Sequence, residues 1–290
     1  MSLTPWTHSH PYLSGAYAPI FSEGVHEDLK VIGELPKDLQ GTFVRNSSNP
    51  RYSPKGRYHW FDGDGMLHAV RFRHGQVSYR NRWVQTSGLQ EEKAAGHALW
   101  KGLKEPMRAD RPDEPLKNTA NTDVKYHAGR LIAMWYRSGM PYAVDPDTLE
   151  TVGQADYGQA FAKISAHSRP DEHTGELLFF DYSLTAPYME YGVIGPDRKL
   201  KHKTEIPLPG LVDAQGTRGL LVAVGVVDDA GPGLLGERES RVGGSAVDDE
   251  QLDVAVVVLR GQRRQGGGKV PGRVEGRQEH GDRRRHGDAP

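Results

Sequence analysis

Apolar and polar side chains alternate over short segments through most of the first 210 residues. Clear examples are GTFVR at 41–45, LHAVRFR at 67–73, QVSYRNRWV at 76–84 and RLIAMWY at 130–136. These segments are rich in β-branched and aromatic residues, and a period of two is typical of half-buried β-strands. The pattern therefore predicts a protein built from many short strands.

Turn sequences separate these segments. They are RHGQ at 73–76, HAGR at 127–130, DPDT at 145–148, HTGE at 173–176 and GPDR at 195–198. Each offers Gly, Pro or Asp where a tight hairpin needs a preset or positive φ. One helix is predicted near Gly88 to Leu103, where charged residues precede several alanines and a leucine. The fold class is all-β, and the pattern alone fits a sandwich, a barrel or a propeller.

A change of composition divides the chain into residues 1–210 and residues 211–290. The second part contains no Trp, Tyr, Phe, Met or Ile and is dominated by Gly, Val, Arg and Asp. Without large side chains, little apolar burial offsets the loss of backbone entropy on folding. Residues 211–290 are therefore expected to be either a natural disordered tail or the product of a GC-rich message translated out of frame.

Overall charge and cysteine content narrow the function classes. Net charge is -1, which predicts no nucleic-acid partner. With no cysteine in the chain, any metal must be held by histidines or carboxylates. The longest apolar stretch, at 219–227, is too short to span a membrane, and residues 1–12 lack the features of a signal peptide. A cytoplasmic protein is the expectation.

The segment YHWFDGDGMLH at 58–68 is the densest cluster of chemically capable residues. Asp62 and Asp64 could bind a hard cation, but the further oxygen ligands and the distal Glu of a calcium loop are absent. A structural turn between an aromatic strand and the next strand is the preferred interpretation. His59 and His68 flank it and are expected to be packed or hydrogen-bonded rather than ligands.

Eight motifs together resemble the carotenoid cleavage oxygenases, a family that includes stilbene-cleaving dioxygenases. In order they are LPKDLQGTFVRN (35–46), YHWFDGDGM (58–66), YRNRWV (79–84), NTANT (118–122), YHAGRL (126–131), YAVDPDTLET (142–151), SAH (165–167) and TGEL (174–177). The resemblance covers about residues 12–210. It implies a seven-bladed β-propeller, of which this chain carries the N-terminal part, with iron on the propeller axis.

The resemblance also implies a reaction and a ligand set. Members cleave a conjugated carbon–carbon double bond with O2 to give two carbonyl products, using Fe(II) held by four neutral imidazoles. His167, in the SAH motif, matches the first ligand. The His-Asp motif that should follow IPLPG at 206–210 is replaced by LVDAQG, and the only later histidines are His280 and His286. Three ligands have no counterpart, so the chain is expected to be inactive in this form.

Trp135 bears on the substrate. Stilbene-cleaving relatives tend to have a Lys at this position and carotenoid-type members an aromatic, so the resemblance favours a carotenoid or apocarotenoid, with Trp135 lining the substrate tunnel. Ordinary strand core is the alternative for Trp135. Tyr136 stands where many relatives have a Glu that orients an iron-bound imidazole. The resemblance also implies a peripheral membrane contact for uptake of an apolar substrate.

Two alternative functions stay open from the sequence. The first is a stilbene dioxygenase of the lignostilbene type. The second is a non-catalytic β-rich relic or binding protein that keeps the N-terminal half of the family without the metal.

Overall fold

The computed structural model describes residues 5–6, 8–112, 114–158, 163–182 and 186–207. The predicted disordered or out-of-frame segment at 211–290 lies outside the described residues. Among the residues that are described, no helix is long and apolar enough to cross a membrane.

Within the described residues the strands form three four-stranded antiparallel sheets, and each sheet comes from one continuous stretch of the chain. Sheet A has the order β1-β4-β3-β2, with β1 at Gly24–His26, β2 at Gly41–Ser48, β3 at Gly65–Arg73 and β4 at Gln76–Trp83. Sheet B runs β5 Asp123–His127, β6 Arg130–Met134, β7 Tyr142–Val144 and β8 Thr151–Gln154. Sheet C runs β9 Arg169–Pro170, β10 Leu177–Tyr182, β11 Tyr188–Ile194 and β12 Leu200–Pro207. The all-β prediction is confirmed.

Sheet B packs between sheets A and C. Successive side chains of its strands point to opposite faces, so that one face contacts sheet A and the other contacts sheet C. In β6, Leu131 and Ala133 join an apolar cluster that also contains Val44 and Leu67 of sheet A. Ile132 and Met134 belong to a second cluster, which contains Leu177, Phe179 and Ile194 of sheet C. Both faces of sheet B are therefore buried, and each fully buried large side chain contributes roughly 1.5–3 kcal/mol to folding.

Tight turns close the hairpins at one end of the sheets, which we call the hairpin end: residues 73–76, 127–130, 145–150, 171–176 and 195–199. Gly75, Gly129 and Gly175 adopt positive φ there, as the turn sequences predicted. The turns of different sheets also touch, since His127 Nε2 lies 3.1 Å from the carbonyl oxygen of Gly175. Strand β2 contacts β5 and β5 contacts β9, so these three strands lie side by side.

The helix is shorter than predicted. Helix α1 spans Ser87–Ala95, and the Thr86 side chain caps it by accepting a hydrogen bond from the Leu89 N–H. Gly96 ends it in the left-handed conformation, with φ 75. Beyond Gly96 the side chain of Glu92 accepts the Leu99 N–H at 2.8 Å, which holds the chain in a non-helical path. The predicted extension to Leu103 is therefore wrong.

The aromatic segment before β3 is also different from its prediction. Trp60–Asp62 forms a 3-10 helix rather than a strand, and two further 3-10 turns lie at Pro11–Leu13 and Gly15–Tyr17. His59 caps the Trp60–Asp62 helix. Its ring Nδ1 accepts a hydrogen bond from the Phe61 N–H, and its backbone N–H donates to the Asp62 carboxylate. These local hydrogen bonds compete with strand pairing, so His59 does not occupy a strand position.

Candidate active site

Opposite the hairpin end, longer connections join the strands. We call this the connection end; its described residues are 49–64, 84–112, 114–122, 135–141, 155–158 and 163–168. Hydrogen bonds between these loops hold them together. The Ala166 N–H donates to the Trp135 carbonyl at 2.8 Å, and the Ile164 N–H donates to the Gly139 carbonyl at 2.9 Å. Trp135 and His167, the two site residues predicted from the sequence, are thereby brought side by side along the backbone.

His167 lies in the loop before β9, in a backbone conformation that is uncommon for a residue other than glycine. Its φ is 74, and its N–H donates to Asp123 Oδ2 at 2.9 Å. Asp123 is buried at the start of β5, where its other oxygen accepts the Val124 N–H and lies 3.1 Å from Lys125 Nζ. The side chain of His167 is exposed. A left-handed histidine persists where its surroundings fix it, here through a buried carboxylate.

Trp135 follows directly after β6 and is 6% exposed. It lines two cavities of the connection end, one of about 50 Å³ and one of about 720 Å³. Its indole Nε1 is buried and has no hydrogen-bond partner among the described residues. Trp135 thus forms part of the wall of both cavities, and its contact with a substrate stays a prediction.

The larger cavity has a mixed lining. Its apolar wall includes Trp135, Leu116, Met140, Tyr142, Tyr182 and the two prolines Pro112 and Pro115. Charged groups at the same cavity are Glu114, Arg137 and Lys163. Burial raises the pKa of the Glu114 carboxyl above its ordinary value. A long apolar ligand with a polar end is the kind of molecule that such a lining accommodates.

A buried ionic network borders the smaller cavity. Lys117 Nζ contacts Asp64 Oδ1 and lies 2.6 Å from Glu92 Oε2, and all three side chains are buried. Burial alone would lower the pKa of Lys117, but the two carboxylates hold that pKa above its ordinary value. Asp64 also accepts the Arg51 N–H at 2.9 Å. The network ties helix α1 to the loop before β3, as a turn with a structural role requires.

His68 lies on β3 and is hydrogen-bonded, as the sequence predicted. Its Nε2 lies 2.9 Å from Ser47 Oγ, and its Nδ1 lies 2.7 Å from the Tyr79 hydroxyl. Burial, assisted by the charge of Arg45, lowers the pKa of His68 to about 4. The ring is therefore neutral at physiological pH, and its role is to join β2, β3 and β4.

The described residues do not by themselves fit an iron centre. No group of three or more His, Asp or Glu side chains in the described ranges is arranged to hold a metal ion. His167 is the one predicted ligand present, and a single imidazole binds Fe(II) weakly. Tyr136 packs edge-on to Trp135, with ring centroids 5.2 Å apart, where relatives were expected to place a carboxylate.

Sequence reasoning missed the residues around the smaller cavity. Lys117, Glu92, Trp100 and Thr119 line it, and none belongs to a motif that was assigned a site role. Lys117 is 53 positions from Asp64 and 25 from Glu92, so no local pattern links the three. The available signal was a lysine placed directly before the NTANT motif, which alone is weak.

Comparison with known proteins places these features in a family. Residues 17–216 match the family described as retinal pigment epithelial membrane protein (RPE65). A carotenoid 9,10(9',10')-cleavage dioxygenase 1 of Phaseolus vulgaris is 36% identical over 208 residues, which cover 65% of this chain and 38% of the relative. An isoeugenol monooxygenase of Pseudomonas nitroreducens is 37% identical over 205 residues, covering 69% of this chain and 43% of the relative.

A solved structure agrees with these sequence matches. The crystal structure of lignostilbene dioxygenase from Pseudomonas brassicacearum superposes with a TM-score of 0.64 at 34% identity, covering 72% of this chain and 45% of that chain. The chain thus spans about two-fifths of the length of the relatives it matches. The motifs, the three antiparallel sheets and the match over residues 17–216 show that the chain belongs to the RPE65 family, which includes the carotenoid cleavage oxygenases.

Proposed function

We propose that the chain carries the N-terminal part of an alkene-cleaving dioxygenase that uses O2 to split a conjugated double bond into two carbonyl products. Relatives named as carotenoid, isoeugenol and lignostilbene oxygenases support this reaction class. The observation that carries the proposal is the hydrogen bond from the Ala166 N–H to the Trp135 carbonyl. It holds the backbone next to His167 against Trp135, whose side chain lines a large, partly apolar cavity.

The three sheets are proposed to be blades of a seven-bladed propeller. Each is a four-stranded antiparallel sheet. One edge strand of each sheet, β2, β5 or β9, lies next to an edge strand of the following or preceding sheet. Radial repetition of such sheets is the arrangement that a propeller uses to protect strand edges. Residues 1–210 are proposed to belong to this part.

His167 is proposed to be one iron ligand. Asp123 fixes the backbone of His167, and the imidazole ring is exposed, so that it is accessible to an iron ion bound by further ligands. We expect the purified chain to hold much less than one iron per chain, and His167→Ala to change that content little. Stoichiometric Fe(II) that is lost in His167→Ala would show that further ligands complete the site within this chain.

The proposal for residues 211–290 is tested by the encoding DNA. If this segment is read out of frame, another frame downstream of codon 210 should encode a His-Asp pair and further histidines. Their absence over the next few hundred codons would contradict a dioxygenase encoded at this locus. A cytoplasmic location and a peripheral membrane contact stay predictions.

An apocarotenoid is the proposed substrate, because Trp135 offers an indole to a conjugated chain and no amine to a phenol. Tryptophan fluorescence quenching should show tighter binding of an apocarotenoid aldehyde than of a hydroxystilbene. Trp135→Lys should weaken apocarotenoid binding about tenfold. The control is Trp6→Phe, which should leave that binding unchanged because Trp6 lines neither cavity. Cleavage is then followed as O2-dependent loss of polyene absorbance, with products identified by mass.

A phenolic alkene is the second candidate substrate, favoured by the TM-score of 0.64 to a lignostilbene dioxygenase. Tighter binding or faster turnover of the hydroxystilbene would replace the carotenoid assignment and leave the reaction class standing. If neither molecule binds, the chain is a binding or relic protein of another kind and the proposal fails.

A further inference from the structure

At the smaller cavity, three buried polar groups have no hydrogen-bond partner among the described residues. They are the indole Nε1 atoms of Trp100 and Trp135 and the hydroxyl oxygen of Thr119. Trp100 and Trp135 are each 6% exposed and Thr119 is 2% exposed, and all three residues line this cavity. In the described part of the chain, none of the three atoms is paired with another protein group. A buried polar group of this kind destabilises the fold unless a partner satisfies it.

Another buried tryptophan, Trp83, has a paired indole N–H. The buried Trp83 Nε1 donates to the Asn49 carbonyl at 2.9 Å. The Trp100 ring is held from outside by Arg108 and Arg111, whose guanidinium carbons lie 5.3 and 5.2 Å from its centroid. The Trp100 ring is therefore well packed, whereas its indole N–H has no hydrogen-bond partner among the described residues.

The chemistry of the three groups defines what would occupy the cavity. An indole N–H donates and never accepts, and a threonine hydroxyl does either. The occupant must therefore present a hydrogen-bond acceptor. A volume of about 50 Å³ exceeds the roughly 10–15 Å³ that one water molecule needs in this measure, so a carbonyl or hydroxyl end group with its adjoining carbon fits.

Charge at the cavity decides between a neutral and an anionic acceptor. The non-exposed charged groups of its lining are three carboxylates, Asp62, Asp64 and Glu92, and two cations, Lys117 and Arg108. Arg108 is already paired with Asp110, which lies outside the cavity lining. Lys117 is already engaged by Asp64 and Glu92. Burial raises the pKa of Asp62, whose oxygens accept the Leu103 and His59 N–H groups. An additional buried anion would meet unbalanced negative charge, which disfavours it.

We propose that the smaller cavity is a subsite for the neutral, oxygen-bearing end of an apolar ligand, bound through the side chains of Trp100, Thr119 and Trp135. Trp135 also lines the larger cavity, so a ligand whose body lies there reaches the subsite past this residue. The subsite selects an ester, ketone, aldehyde or alcohol end over a carboxylate. The inference rests on the proposed function for the ligand class and adds the end group that the chain selects.

A matched pair of probes tests the subsite: methyl retinoate and retinoic acid, which share one polyene and differ only in the end group. Tryptophan is labelled with ¹⁵N, so that the five indole N–H signals of the full chain are observed separately. Methyl retinoate should shift the Trp100 and Trp135 signals downfield and leave the Trp83 signal in place. At mildly alkaline pH retinoic acid should bind about tenfold more weakly.

Two variants separate binding from folding. Thr119→Val preserves the side-chain shape and removes a hydroxyl that has no partner in the described part of the chain. Stability without ligand should therefore be unchanged or raised, while methyl retinoate binds about fivefold more weakly. Trp100→Phe should weaken the ester by a similar factor and leave the affinity for retinoic acid unchanged. Trp6→Phe should change neither affinity.

Equal binding of the acid and the ester, or ester binding that moves neither indole signal, would overturn the subsite while the proposed substrate class stands. A loss of stability in Thr119→Val without loss of ester affinity would also overturn it, by giving the hydroxyl a structural role. Failure of both probes to bind would contradict the subsite and the proposed ligand class together.

Discussion

The two ends of the sheets are built on different principles. At the hairpin end, each turn joins adjacent strands and its conformation follows from two or three neighbouring residues, such as His74 and Gly75 with φ 50 and 80. At the connection end, the structure depends on side chains far apart in sequence, such as Lys117 with Asp64 and Glu92. The difference teaches that the scaffold is encoded locally, whereas the candidate site is encoded by long-range polar contacts.

The largest effect should come from breaking the buried network of the connection end. Lys117→Met leaves Asp64 and Glu92 buried without their cation, and we expect a loss of about 3–5 kcal/mol in the free energy of unfolding. Urea unfolding followed by fluorescence measures it. The control is Asp147→Asn at the hairpin end, which removes the exposed ion pair with Arg71 and should cost less than about 1 kcal/mol. Comparable losses in the two variants would refute the contrast.

Acid should destabilise the protein through His68. Its folded pKa of about 4 lies below the ordinary 6.5, so on acidification the unfolded chain takes up the proton first. The contribution is constant above pH 6.5, and stability then falls between 6.5 and about 4 by roughly 3 kcal/mol, at about 1.4 kcal/mol per pH unit. In His68→Gln, unfolding measured across this window should lose much of that slope. An unchanged slope would exclude His68 as the cause.

The hairpin end should respond to backbone changes of opposite sign. Gly129 has φ 82 with open space where a Cβ would lie, so Gly129→Ala should cost about 1 kcal/mol through backbone strain alone. Its neighbour Ala128 has φ 47, and Ala128→Gly should relieve strain and stabilise the fold by up to about 1 kcal/mol. Thermal unfolding of both variants tests this, and a shift of the same sign in both would contradict local control of the turn.

The same contrast explains how far the sequence could be interpreted. Strands β2, β3, β4 and β6 and the turns between strands were predictable, since alternation and turn residues act over a few positions. Helix α1 was extended too far because Gly96 was not recognised as a left-handed terminator and Glu92 folds the following chain back. The aromatic segment at 58–62 was predicted as a strand because its aromatic residues favour strands. The hydrogen bonds of His59 and Asp62 that form the 3-10 helix instead leave no signal in a hydrophobic pattern.

The candidate site was predictable only in part. Trp135 and His167 were proposed as site residues through motif resemblance, and the closeness of their backbones follows from a hydrogen bond that no periodicity predicts. Trp100, Thr119 and Lys117 were missed because their roles arise from burial together at one cavity. Such contacts join residues that are far apart in sequence, and a single sequence carries at most a weak signal for them.

Hydrogen–deuterium exchange of the chain with and without an apocarotenoid aldehyde tests most directly whether the connection end is the ligand site. We predict slower amide exchange on ligand addition at 117–121, 135–141 and 163–168, with no change at the hairpin turns 73–76 and 127–130. Protection confined to the hairpin end, or no protection at a ligand concentration that quenches tryptophan fluorescence, would contradict the assignment of the site to the connection end.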